Sequence, residues 1–200
     1  MAAMLGMAVA ACVTGRAARA AVFLAKDEAL ALAFPGSDRI EERVVILTDA
    51  QKAEVEKRAR SPLGSQLWTI HVGWKDGTVQ GYAVIDSHIV RTLPETFMVV
   101  IDPAGRLERV EVLAFHEPSE YQPPPRWIAQ FQGRVLDDDL RLGAGIQGIT
   151  GATLSARAMT MGVRRALALV AVAVVDAGAP AAAPAAGATP TAVSATPAPG

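Results

Sequence analysis

The sequence predicts an α+β domain, an antiparallel β-meander flanked by helices. Three observations predict it. Apolar Trp68, Ile70, Val72 and Trp74 alternate with Thr69, His71 and Gly73, the period of a strand with two unlike faces. Tight turns separate the extended segments, at Lys75-Asp76-Gly77 and at Asp102-Pro103-Ala104-Gly105. Helical spacing appears on both sides of this run, before the first strand and after the last.

The elements follow in order. Ala25–Phe34 (AKDEALALAF) has helical spacing and stops at Pro35-Gly36. Arg43–Leu47 reads as a short strand. Thr48 caps a strongly charged helix over Asp49–Arg60, with Asp49 in its first turn, where the helix dipole favours an acid. The Trp68–Trp74 strand turns at Asp76-Gly77 into a second near Val79–Ile85. Thr96–Ile101 and Leu107–Phe115 form the next two, with Val110, Val112 and Ala114 on one face. A loop rich in proline (Pro118, Pro123, Pro124, Pro125) precedes a short helix around Arg126–Gln132. The last helix runs from Thr153 or Leu154 to Val175. Its apolar end, Ala166–Val175, is ten residues, too short for a membrane span, so it is expected to be a buried helix.

The two ends differ in kind from the middle. Met1–Ala20 (MAAMLGMAVAACVTGRAARA) has an apolar run to Val13 and then Ala18-Arg19-Ala20, an A-x-A cleavage pattern. It reads as a signal peptide over 1–20. Val9-Ala10-Ala11-Cys12 gives a second export reading, a lipobox with lipid on Cys12. From 177 to 200 the chain is almost wholly Ala, Pro, Gly and Thr with no charge, and it is expected to be a disordered spacer. One folded domain over 21–176 remains.

Composition narrows the function. The 200 residues carry 19 Lys+Arg and 20 Asp+Glu, a formal net charge of −1, which excludes nucleic-acid binding driven by bulk positive charge. The single cysteine excludes an iron–sulfur cluster, a zinc ribbon and an internal disulfide. His71, His88 and His116 show no ligand spacing; His88 and His116 read as surface or satisfied histidines, and Asp137-Asp138-Asp139 as a solvated run. No GxSxG, P-loop or GxGxxG occurs, so no catalytic residue or metal ligand is assigned.

The informative segment is Gly143–Ser155 (GAGIQGITGATLS), with four glycines ahead of a helix start. A helix N-terminus offers free N–H groups and partial positive charge, and glycines let a phosphate approach the backbone. A threonine hydroxyl there can also carry a phosphoester. A plainer reading uses the same residues: Thr150 or Thr153 as an N-cap, and the glycines as a loop.

Thr150-Gly151-Ala152-Thr153-Leu154-Ser155, followed by an Ala/Met-rich helix with Arg157, resembles the (S/T)GAT(x)(S/T) motif of the covalently flavinylated FMN-binding domain family. That family includes flavin-bearing components of the sodium-translocating NADH:quinone reductase and of the Rnf electron-transfer complex. Upstream, Trp127–Arg134 (WIAQFQGR) resembles the family's W…QFxG(K/R) segment, and Leu113–Glu117 (LAFHE) its strand and H-x-E stretch. The resemblance covers roughly 79–170 with the motifs in family order. It implies an FMN-binding fold and FMN as cofactor, attached through its phosphate to Thr153 by a flavin transferase. It further implies that Thr150, Gly151, Ala152, Leu154 and Ser155 shape the phosphate turn. The implied role is that of a redox carrier rather than a substrate-turning enzyme. Its electron partner would be a membrane redox complex or a cytochrome, in the periplasm or on the outer face of the cytoplasmic membrane. The sequence departs from the family at Gln147, where an Asp is usual, and at Pro118–Tyr121, which replaces a glycine-rich turn. Gln147 favours the alternative, a flavin-free or non-covalent flavin-binding sensory or interaction module.

Overall fold

The structure, a computed structural model, describes residues 21–177. The expected leader with Cys12, and all of the expected tail beyond Ala177, lie outside the described residues.

Six strands form one antiparallel sheet in the order β1-β6-β5-β4-β3-β2. They are β1 (Ala21–Val22), β2 (Arg39–Ile46), β3 (Leu67–Lys75), β4 (Thr78–Ile89), β5 (Pro94–Ile101) and β6 (Leu107–Phe115). From β2 to β6 each strand pairs with the next, as the meander predicts, and β1 closes the far edge beside β6. The β3–β4 turn is tight because Asp76 and Gly77 both take positive φ, 50° and 73°, the geometry a two-residue hairpin requires. Asp102 shapes the β5–β6 turn, its carboxylate accepting from the N–H groups of Ala104 and Arg106. Several strands are longer than expected: β2 starts at Arg39, β4 runs on to Ile89, β5 starts at Pro94, and β3 gains a residue at each end. Charge hides the start of β2, since Arg39, Glu41 and Arg43 sit on an edge strand, where Glu41 accepts from the Trp74 indole and Arg39 lies over the same ring.

Each face of the sheet has its own cover. On one, α1 (Lys26–Ala33) buries Ala29, Leu30 and Ala33, with Phe34, against Ala83, Met98, Val100 and Leu113. On the other, α2 (Asp49–Ala59) and α4 (Thr153–Val170) pack over Ile70, Val84, Phe97 and Val99. The central strands β4 and β5 are therefore buried on both sides along much of their length. Thr48 does cap α2: its hydroxyl accepts from the Gln51 N–H, and the Gln51 side chain accepts from the Thr48 N–H. The short segment expected at 126–132 is one helical turn, α3 (Pro125–Ile128), running into a 3-10 turn over Ala129–Phe131.

Helix α4 is the central helix of the larger core. With the π turn that extends it over Ala171–Val175, it is long and apolar enough to cross a membrane, yet 67% of its most apolar window is buried within the fold. Gly162 lets it lie close on the sheet, since a methyl there would meet the Phe97 ring and the Asp86 carboxylate. Arg164, 4% exposed, ties the layers together. Its guanidinium donates to the carbonyls of Arg58 and Ala59 at the end of α2, and to those of Asp137 and Leu140 in the loop before the glycine run. All these partners are neutral. Burial, and the nearby Arg60 and Arg141, lower the Arg164 pKa from its ordinary value.

Candidate functional site

The Trp127–Arg134 segment grips the glycine run. The Trp127 indole N–H donates to the Gln147 carbonyl at 2.6 Å, and the Gln130 side-chain oxygen accepts from the Gln147 N–H at 2.9 Å. The Arg134 guanidinium donates to the carbonyls of Gln130 and Gly145. Gly145 passes so close to the Asp139 carbonyl that a Cβ would stand 2.5 Å from it. Ile146 and Leu140 are fully buried and anchor the run to the core. The two motifs are thus one device: the first holds the second at Gly145 and Gln147. Gln147 serves this grip through its backbone, while the residue itself is exposed.

From that anchor the chain rises into α4. Gly148 has open space where a Cβ would stand, and Gly151 turns the chain with φ +83°. Ala152 is the N-cap, with no side-chain cap bond, and the first intrahelical bond runs from the Ala156 N–H to the Ala152 carbonyl. The cap reading of Thr150 or Thr153 is therefore corrected: Thr153 is the first residue of the helix proper and Thr150 lies outside it. The N–H groups of Thr153, Leu154 and Ser155 have no place in the intrahelical ladder. No acidic side chain sits in this first turn.

Exposure divides the six predicted site residues. Thr150, Gly151, Thr153 and Leu154 are exposed; Ala152 and Ser155 are buried. The Ser155 hydroxyl lies inside the fold without a hydrogen-bond partner, so the outer surface of this turn is backbone, the Thr153 hydroxyl and Leu154. Arg157 stands four residues beyond Thr153, one turn along the same side of the helix.

Two grooves flank this turn. One, about 560 Å³, runs between Trp127, Gln130 and Gln147–Thr150. The other, about 210 Å³, lies between the end of β4 (His88 to Val90) and the α4 residues Leu154, Arg157, Met161 and Arg165. A further groove of about 440 Å³ is lined by Phe23, β6 residues and Pro125, and by none of the residues from Thr150 to Ser155.

Below the second groove lies a cluster that sequence reasoning missed. His88 is no surface or satisfied histidine. It stands directly opposite Glu95 across the β4–β5 ladder and edge-on to Phe97, with ring centroids 5.3 Å apart. Its Nε2 is 3.5 Å from the Glu95 carboxylate and its Nδ1 is 3.9 Å from Asp86, too long for hydrogen bonds; Arg165 pairs with Asp86 at 2.5 Å. Glu95 is fully buried. Burial pulls the His88 pKa down, but the Asp86 and Glu95 carboxylates outweigh it and hold it above its ordinary 6.5. Burial opposes ionisation of Asp86, yet His88 and Arg165 bring it below its usual value, whereas burial keeps Glu95 above its own. Part of the signal was present in the sequence, since Asp86 and His88 share one face of a strand, but only the strand register sets Glu95 opposite His88.

Glu117 of the LAFHE segment also has a structural task. Its carboxylate accepts from the backbone N–H groups of Arg91, Thr92 and Leu93 and so fixes the β4–β5 turn; these bonds, Thr92 first, lower its pKa. The acidic run acts within its loop, Asp137 accepting from the N–H groups of Asp139 and Leu140 and Asp138 pairing with Arg60. Among the described residues, no group of three His, Cys, Asp or Glu side chains is placed to hold a metal ion.

Residues 93–168, from the start of β5 to the last turns of α4, match the family model of the FMN-binding domain. This segment is an FMN-binding domain. Its cofactor is FMN. The match takes in the LAFHE, WIAQFQGR and TGATLS segments together. It is to the domain family and does not single out the quinone-reductase or the Rnf component that the sequence resembles. No curated protein gave a significant match to the chain. The residues fit a flavin phosphate: the FMN-binding domain has an open helix start free of acids, two glycines with room above them and an exposed threonine hydroxyl.

Proposed function

We propose that the chain is an exported electron carrier whose FMN is joined by a phosphoester to Thr153. The observation that carries this reading is the placing of Thr153: an exposed hydroxyl on the first residue of a deeply packed helix, beside N–H groups that have no intrahelical partner. A phosphodiester there keeps one negative charge, which those groups and the helix dipole stabilise. Arg157, one turn on, adds a cation. The flavin supplies the redox chemistry when bound; the protein supplies attachment, orientation and electrostatics. A covalent link removes the need for a closed pocket, and the open grooves of this domain suit exchange of electrons with a docked partner. In this reading a flavin transferase matures the protein, and a membrane redox complex or a cytochrome is the electron partner.

Export rests on the A-x-A pattern at Ala18–Ala20, with the Cys12 lipobox as its variant. N-terminal sequencing of protein from the native host is expected to begin at Ala21. Acylated Cys12 would make the protein a lipoprotein, and a retained Met1 in the cytosol would contradict export.

Coexpression with a flavin transferase and Mg²⁺ tests the linkage. The denatured band on a gel is expected to fluoresce under blue light. Gln147 favours a second reading, in which FMN binds without a bond, because the family motif that the segment resembles usually has Asp at this position. Gln147→Asp is then the informative variant. Its side chain is exposed and the grip uses only its backbone, so a rise in labelling would trace to transferase recognition. A dark band in both proteins would favour the non-covalent reading.

A further inference from the structure

The flavin ring needs a resting place within reach of Thr153, and two grooves lie beside it, one lined by Thr150 and the other by Leu154. The groove by Trp127 is already committed. Its indole N–H is bonded to Gln147, its ring stands edge-on against Phe131 at 5.2 Å, and it is 6% exposed, so it presents no free aromatic face. The other walls of that groove are Arg126, Gln130, Gln147 and Thr150, and its apolar members, Pro124 and Ile149, are only half-exposed.

The groove between β4 and α4 is different. Leu154, the residue after Thr153, is 51% exposed at its mouth, and Ile89, 61% exposed, stands across from it. Ala158 and Met161 continue the apolar stripe down the helix at the spacing of one face. Exposed large apolar side chains gathered on both walls of one groove point to a ligand that covers them. Arg157 edges it with positive charge, Arg165 being held by Asp86, and a guanidinium both stacks on aromatic faces and donates to carbonyl oxygens. A thioether such as that of Met161 favours an aromatic neighbour. Beneath lies the cluster of His88 and Asp86 on β4, Glu95 on β5 and Arg165 on α4. Glu95 is wholly buried with neither carboxylate oxygen hydrogen-bonded, and both nitrogens of His88 are likewise buried and unpartnered.

We propose that the groove between the end of β4 and the α4 residues Leu154, Arg157, Ala158 and Met161 seats the isoalloxazine ring, with His88, set against Glu95, as its floor. This rests on Thr153 being the attachment point. The groove's volume, about 210 Å³, is below the ~300 Å³ at which closed ligand pockets begin. The ring is therefore held on one side and open on the other, as electron exchange with a docked protein requires.

The test is geometric. Protein bearing ¹³C-methyl methionine and ring-labelled histidine is prepared with FMN and its mass measured before any spectrum. Ring-current shifts at the Met161 methyl and the His88 ring, with the Trp127 indole proton unmoved, are expected. Shifts at Trp127 with Met161 and His88 unmoved would place the ring in the other groove and overturn the proposal. Should the mass show no linked FMN, the attachment reading fails, and the same probes are followed while free FMN is titrated into the chain. The two failures are thus separate. As a second arm, Ala158→Trp fills the groove. It is expected to lower the flavin fluorescence anisotropy of the linked protein by freeing the ring, and unchanged anisotropy would contradict the proposal.

Discussion

The two ends of α4 differ sharply in exposure. Its first turn has no side-chain cap, with Thr153 and Leu154 exposed. From Met159 onward it is buried on most sides, and Arg164 bolts it to α2 and to the loop ahead of the glycine run. One helix therefore combines a fixed body with an open tip. A group attached at the tip inherits the rigidity of the core without burying any of the core's surface. Substitutions act accordingly: in the body they cost stability, at the tip they change chemistry.

The largest expected effect is in the body. Arg164→Met keeps much of the volume but removes every bond to the four carbonyls, and is expected to cost about 3 kcal/mol in a denaturant titration. A cost below about 0.5 kcal/mol would mean that water replaces the guanidinium at no loss. Gly162→Ala comes next, at about 1–3 kcal/mol, because the added methyl meets Phe97 and Asp86 and forces the helix off the sheet. Arg134→Ala sits between body and tip. It frees the Gly145 carbonyl and is expected to cost about 1 kcal/mol. Its clearer readout is hydrogen exchange, where the Gln147 amide should lose protection while those of β4 and β5 keep theirs.

The buried cluster predicts a pH dependence of stability with a definite sign. His88 has a raised folded pKa, so its contribution is full below its ordinary 6.5 and is lost as pH rises through the folded value. Asp86 has a lowered one, so its contribution is present above its ordinary 3.8 and is lost as pH falls through the folded value. Glu95 has a raised one, so its cost builds as pH rises from its ordinary 4.5 to the folded value and is constant above that. His71 opposes His88: burial, then the charge of Lys26, lower its pKa, so it destabilises the fold as the solution is acidified below 6.5. The comparison of parent with His88→Gln isolates one group. The parent should lose stability relative to the variant as pH rises from 6.5, and parallel curves would contradict the cluster's assignment.

Much of this is legible in the sequence. Period-two alternation locates β3, and Asp76-Gly77 marks the hairpin, because few residues accept positive φ at both turn positions. The sequence pattern of Leu107–Phe115 has the same bounds as β6. The start of β2 is not legible, since alternating charges on an edge strand look like solvated loop until the Trp74 ring that they cover is in place. The TGATLS segment is visible as a motif, but not its division into an exposed Thr153 and a buried Ser155, which depends on how α4 is rotated against the sheet. Nor is the His88–Glu95 pair, because cross-strand register, not sequence spacing, brings the two together.

The smallest expected effect on stability, and the largest on function, belongs to the tip. Thr153→Ala removes an exposed hydroxyl that caps nothing, so its stability should lie within about 0.5 kcal/mol of the parent. The measurement that bears most directly on the attachment of FMN is the intact mass of this variant beside the parent, both coexpressed with a flavin transferase. The parent should gain the mass of one FMN less one water, with the addition mapped to the peptide containing Thr153. Thr153→Ala should gain nothing, Thr150→Ala should still be labelled in part, and Thr153→Ser should retain some labelling. A flavin that remains covalently bound in Thr153→Ala, or a parent that folds, binds FMN and releases all of it on denaturation, would contradict attachment at Thr153.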